Sequence, residues 1–168
     1  MKRAVVMVAA VAFSFGLFAA GCESKPKKDV DTLISEGSVF LKDKQYDKAL
    51  ESYTQAAEIS PKDARPLFYE GNALFSMGKL DEAVETYDKA IAIAPTVAQP
   101  IYNKGVALAG LKRYEEAVSA FDVAIALNPN HVNAIYNKGL VLEKMGKKDE
   151  AKAAFDLAAK IDPQYQKK

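Results

Sequence analysis

A chain of 168 residues has the length of one domain, and 49% apolar with 27% charged residues is an ordinary globular balance that excludes disorder as its main content. Without Lys2 and Arg3 the charge is 21 basic against 22 acidic groups, or −1, which excludes the concentrated basic face that nucleic acid requires. Behind Met1, Lys2 and Arg3, residues 4–20 form an unbroken uncharged run, the layout of a secretory signal.

Ala19, Ala20 and Gly21 stand directly before Cys22, the only cysteine, and polar Glu23, Ser24 and Lys25 come after it. This stretch resembles a bacterial lipoprotein lipobox, with Ala19 at the position where leucine is usual. The resemblance implies that residues 1–21 are a signal peptide and that Cys22 carries the lipid as the first mature residue, anchored in a bacterial envelope and facing the periplasm or the cell surface. Two other readings stay open: an uncleaved anchor at the short edge of the roughly 17 to 25 residues that span a bilayer, and an ordinary signal with an incidental cysteine. With Cys22 acylated no thiol remains to pair, so stability must come from packing. Residues 22–29 then form the lipidated cysteine and a polar linker, with Lys25, Lys27 and Lys28 around Pro26. Its reach of at most about 25 Å holds the rest of the chain close to the membrane.

From residue 30 onward the chain repeats. Gly37, Gly71, Gly105 and Gly139 are 34 residues apart, and alanine (Ala49, Ala83, Ala117, Ala151) follows each at a fixed offset. An aromatic comes next (Tyr53, Tyr87, Phe121, Phe155), then a second alanine (Ala56, Ala90, Ala124, Ala158) and a closing proline (Pro61, Pro95, Pro129, Pro163). Such a period marks a stacked architecture in which each unit buries its apolar face on the next.

Each unit reads as two helices. In the second, Leu67, Gly71 and Leu74 recur at helical spacing, Met77-Gly78 marks a turn, and Asp81-Glu82 opens a helix that Pro95 stops. Eight helices are expected near 31–43, 47–59, 65–77, 81–93, 99–111, 115–127, 133–145 and 149–161. A glycine on the first helix facing an alanine on the second would let the pair approach, with the aromatic filling the remaining space. All these landmarks are then structural.

The order Gly, Ala, aromatic, Ala, Pro on this period resembles the tetratricopeptide repeat. The resemblance implies an all-α, right-handed α-solenoid of four helix-turn-helix repeats over 30–165 (30–63, 64–97, 98–131, 132–165), with 166–168 as a tail. Two departures are visible: Leu33, Leu67, Ile101 and Ile135 replace the usual tryptophan, and Glu36, Glu70, Lys104 and Lys138 replace the leucine before the glycine. Lys148 and Lys152 in the last unit stand where its siblings are apolar or aromatic, so the array ends there; a monomer or a weak end-to-end dimer is expected.

No constellation for catalysis, cofactor or metal is legible. His131, the only histidine, has no cysteine or acidic partner at ligand spacing and reads as an exposed turn residue. Binding is the expected activity, on the concave face made by the first helix of each unit. At 100° per residue that face carries Arg65, Phe68, Tyr69, Asn72 and Ser76 in unit two, and Gln99, Tyr102, Asn103, Val106 and Gly110 in unit three. Unit four contributes Asn133, Tyr136, Asn137, Leu140 and Lys144; unit one contributes Asp31, Ile34, Ser35, Ser38 and Lys42.

Carboxamides that donate and accept, beside flat aromatics, suit the backbone of an extended peptide. The resemblance implies a non-enzymatic scaffold that holds peptide segments of other envelope proteins. Its carboxylate-clamp subtype is not expected, because Phe68, Asn133 and Asn137 occupy the basic positions. A solute carrier using the aromatic groove and a self-assembling module are the alternatives.

Overall fold

The computed structural model describes residues 28–166, so the apolar run, Cys22 and most of the linker lie outside the described residues. Eight helices succeed one another as antiparallel pairs: α1 (Val30–Lys42) with α2 (Tyr46–Ile59), α3 (Ala64–Ser76) with α4 (Leu80–Ile93), α5 (Ala98–Gly110) with α6 (Tyr114–Leu127), and α7 (Val132–Lys144) with α8 (Lys148–Ile161). A 3₁₀ turn, Pro163–Tyr165, packs on α8. The expected all-α solenoid is present, and the helices start one residue earlier than periodicity places them.

Each hairpin is closed by the same turn. The residue after the C-cap takes a positive φ, at Lys44 (59°), Gly78 (78°), Lys112 (60°) and Gly146 (78°). The next amide then donates back into the last turn of the helix, as Lys79 N–H does to Leu74 O at 3.0 Å and Arg113 N–H to Leu108 O at 2.9 Å. This 6→1 bond satisfies a carbonyl the helix end would leave open. The geometry suits glycine, which occupies two of the four positions.

Inside each pair the repeated glycine faces the aromatic, not an alanine. A Cβ added at Gly71 would lie 2.5 Å from Tyr87 Cε1, and one at Gly105 would lie 2.7 Å from Phe121 Cε1. The expected glycine-to-alanine contact is therefore corrected: the ring lies in the space the missing side chain leaves, and the two alanine columns are buried around it. Tyr53, Tyr87 and Phe121 are at most 1% exposed, which makes these rings the largest buried bodies of their units.

Neighbouring units join between the second helix of one and the first helix of the next. Successive first helices also touch each other, α1 with α3, α3 with α5 and α5 with α7, whereas the second helices make no comparable contact. The first helices thus form the inner, closer-set layer of the stack. From the second unit onward the charged residues before the glycines sit at these junctions. Lys104 pairs with Asp88 at 2.6 Å, and Lys138 pairs with Asp122 at 2.5 Å. Glu70, at the same column, is half-buried, and burial pushes its carboxyl up while Lys89 pulls it down. Such partly exposed pairs contribute at most about 1 kcal/mol each, so they set register more than stability.

Candidate functional site

The inner columns of units two and three converge on one cleft of about 310 Å³, lined by Asn72, Phe75, Ser76, Tyr87, Tyr102, Asn103 and Val106. None of these side chains is charged. α3 supplies Asn72, Phe75 and Ser76, α5 supplies Tyr102, Asn103 and Val106, and the Tyr87 hydroxyl arrives from α4 behind them.

The carboxamides are bonded to one another. The Tyr87 hydroxyl donates to Asn72 Oδ1 at 2.8 Å, and Asn103 Nδ2 donates to the same oxygen at 2.7 Å. Gln99 Nε2 donates to Asn103 Oδ1 at 2.9 Å, and Asn137 Nδ2 donates to the Tyr102 hydroxyl at 2.9 Å. The network ties unit two to three and three to four, so these residues hold the stack as well as line its groove. Burial pushes the Tyr87 phenol up to about 12 and raises the Tyr102 phenol, so both keep their protons at neutral pH.

The remaining expected groove residues are placed differently. Tyr69 is half-buried and stacks on Tyr53 at 5.7 Å, bridging units one and two. Phe68 packs edge-on to Tyr69 at 5.2 Å and lines a second, largely apolar cleft of about 430 Å³ with Ile93, Val97 and Pro100. Arg65 lies at the rim of that cleft, its guanidinium taken by Asp63 at 2.6 Å and by Asp31 of the preceding unit at 2.8 Å. In unit four, Tyr136 packs on Phe155 at 5.3 Å and on Tyr165 at 5.4 Å. Asn133 accepts from the Tyr165 hydroxyl. Lys144 is exposed in the last turn of α7 and lines neither cleft.

His131 departs from its expectation as an exposed turn residue. It is the N-cap of α7, half-buried, with Nδ1 accepting from Ala134 N–H at 3.3 Å and its ring 4.7 Å from that of Tyr102. It occupies the column of Asp29 and Asp63, 34 residues apart, which cap α1 and α3. That spacing is the sequence signal for its role.

Burial holds the His131 imidazole below its ordinary value of 6.5. The unfolded chain therefore takes up the proton first as pH falls, and protonating Nδ1 also removes the acceptor of the cap. The stabilisation is present above about pH 6.5 and is lost as pH drops towards the folded-state value. Urea unfolding of wild type against His131→Asn, whose cap does not titrate in this range, is expected to show a gap that changes between pH 7.5 and 5.5. A constant gap would remove the imidazole from the pH response.

A polar partner for the landmark hydroxyls is a further element, and its signal is the matching of two columns of the repeat. Tyr53 lies 3.3 Å from the Ser38 hydroxyl and Tyr87 bonds Asn72, whereas Phe121 and Phe155 have Val106 and Leu140 in the matching column. Among the described residues no cluster of histidine, cysteine, aspartate and glutamate is suited to a metal, and no helix is long and apolar enough to cross a membrane.

Models of the TPR repeat and of the tetratricopeptide repeat match residues 71–112, and residues 102–165 and 30–63, respectively. No curated protein matches the chain. Among solved structures, a crystal structure of MamA is similar at a TM-score of 0.76 and 24% identity, covering 83% of this chain and 81% of that one. MamA from Desulfovibrio magneticus RS-1, from residue 41 to its end, is similar at a TM-score of 0.73 and 18% identity, over 81% and 77%. The first TPR of Spaghetti (RPAP3), bound to the HSP90 peptide SRMEEVD, is similar at a TM-score of 0.68 and 21% identity, over 71% and 95%. At these identities the likeness shows the fold. Together with the matches along the sequence, it establishes that this chain carries tetratricopeptide repeats over residues 30–63 and 71–165.

Proposed function

We propose that the chain is a lipid-anchored adaptor of the bacterial envelope that holds an extended segment of a partner protein in the groove of its first helices. The observation that supports this most is the uncharged cleft between α3 and α5, with hydroxyl, carboxamide and aromatic groups from two units on one concavity. The similar domain of Spaghetti (RPAP3) is bound to an acidic peptide. Here the groove has Phe68, Asn133 and Asn137 at the positions of a carboxylate clamp, so the partner segment is neutral and internal. Anchoring through Cys22 places the groove near the membrane and rests on the lipobox resemblance.

Growth of the stack by a second copy is disfavoured by register. Continuing the repeat would set Glu36 of the next copy opposite Asp156, where internal junctions pair lysine with aspartate. It would also set Lys42 opposite Lys148, at the contact made internally by Gly110 and Leu80. The adaptor accordingly works as a single copy.

Photo-crosslinking in the native cell tests this reading, with benzoylphenylalanine introduced at Ser76. A defined protein adduct is expected, reduced about tenfold or more by Tyr102→Ala with Asn103→Ala, as for truncation of groove anchors. Cys22→Ser is expected to move the protein out of the membrane fraction, and the extracted protein to sediment as one mass at all concentrations. An undiminished adduct in the double variant removes the groove, and membrane retention of Cys22→Ser removes the anchor. An organic ligand copurifying in place of a protein adduct would turn the groove to solute carriage.

A further inference from the structure

The two long edges of the stack differ in charge. Because the helices pair antiparallel, the four hairpin turns lie along one edge, while the junctions between units and the start of α1 lie along the other. The hairpin turns are charged, as at Lys112, Arg113, Glu115 and Glu116 between α5 and α6. The two central junctions are not: residues 90–103 and 123–137 contain no lysine, arginine, aspartate or glutamate. Apolar side chains stand in water on this uncharged edge. Ile59, Ile93, Leu127 and Ile161 end the four second helices at one column of the repeat, 41%, 36%, 40% and 36% exposed. Val97 joins them, 46% exposed, at the N-cap of α5, where its side chain makes no capping bond. Asp29, Asp63 and His131 cap the sibling helices with theirs. Valine is among the poorest N-cap residues, so unit three gives up a local bond and gains an apolar group in solvent.

What covers this edge follows from where the chain enters it. The described residues begin at Lys28, beside the start of α1, and Asp31 in the first turn of α1 pairs at 2.8 Å with Arg65, which lines the same apolar cleft as Ile93 and Val97. Cys22 stands six residues before Lys28, a reach of at most about 22 Å. An anchor there holds the junction edge close to a bilayer, and a tether this short makes a weak apolar contact intramolecular. The charged hairpin edge is costly to desolvate and stays in water. Resting on the membrane anchoring of the proposed function, we propose that the junction edge docks on the lipid surface, with Ile93, Val97 and Leu127 entering the boundary between headgroups and acyl chains. The helices then stand upright on the bilayer, and the cleft between α3 and α5 opens sideways along it.

The chain contains no tryptophan, so one introduced indole reports its own depth. Full-length chains carrying Val97→Trp, Leu127→Trp or Glu115→Trp, all at exposed positions, are reconstituted into phosphatidylcholine vesicles with brominated acyl chains. Leu127 and Glu115 lie near opposite ends of α6, about 18 Å apart, so they compare the two edges within one helix. The indoles of Val97→Trp and Leu127→Trp are expected to lose at least about half of their emission to bromine, and that of Glu115→Trp to keep its emission. Adding Ile93→Glu and Leu127→Glu to the Val97→Trp chain is expected to abolish the quenching while the chain still floats with the vesicles. A floating chain with no quenching at positions 97 and 127, or with equal quenching at all three, overturns the docking and leaves the anchor standing. A chain that does not float removes the anchor and the docking together. Benzoylphenylalanine at Val97 that captures a protein in the cell, in place of lipid, also overturns the docking and assigns the edge to a protein partner.

Discussion

Phe121→Ala is expected to lower the stability of the chain by about 3–5 kcal/mol, the range for emptying a buried aromatic site. The ring is fully buried in α6, lies against Gly105 on α5, and sits 5.9 Å from the ring of Tyr102. Removing it opens a cavity between two helices that cannot close up, because Ala117, Ala120 and Ala124 around it are already small and buried. A solenoid unit is held only by its neighbours, so loss of unit three also uncouples unit four from units one and two. Helical circular dichroism under urea should therefore show a lower midpoint and a broadened or divided transition. A loss under about 1 kcal/mol would mean that the ring is not what holds α5 to α6.

Gly71→Ala is expected to destabilise the protein by a net of about 1–2 kcal/mol, although helix propensity alone would favour alanine by about 1 kcal/mol. The added methyl would lie 2.5 Å from Cε1 and 2.7 Å from Cδ1 of Tyr87. That ring has no room to retreat: it is 1% exposed and its hydroxyl is bonded to Asn72 at 2.8 Å. Overpacking of this kind costs about 1–3 kcal/mol and outweighs the propensity gain. The displacement would also pull on the Asn72–Asn103 bond, so groove binding should weaken along with stability. Thermal melting of the variant decides the sign, and a raised melting temperature would show that α3 and α4 separate freely.

The contrast between these glycines and their alanine neighbours shows where periodicity stops informing. Both are small residues on a fixed period, and on sequence alone the glycine pairs with an alanine. Which small residue meets which large one depends on the rotation of two helices about their axes, and that is settled by packing the ring. Similarly, the inner-face columns are legible from 100° steps, yet the steps alone do not distinguish Asn72, Tyr102 and Asn103, gathered on one cleft, from Arg65, claimed by Asp31 and Asp63. His131 misleads for a related reason: a turn residue is exposed by default, and here the ring of Tyr102 approaches from α5 and the imidazole is half-buried.

One relation is written in the sequence beyond the landmarks themselves. The hydroxyl-bearing aromatics Tyr53 and Tyr87 accompany Ser38 and Asn72, while Phe121 and Phe155 accompany Val106 and Leu140. A buried phenol needs a partner for its proton, so the pairing of the two columns corresponds to a contact between them.

By itself the sequence determined the helix count over residues 30–165 and the spacing of the repeats, because a 34-residue period and a 3.6-residue turn act locally along the chain. Tertiary structure alone decided that the inner carboxamides bond across units and that Asn72 Oδ1 accepts from both Tyr87 and Asn103. The reason is distance along the chain: Asn103 reaches Asn72 across 31 positions and Asn137 reaches Tyr102 across 35, and bonds of that span depend on how one unit settles on the next.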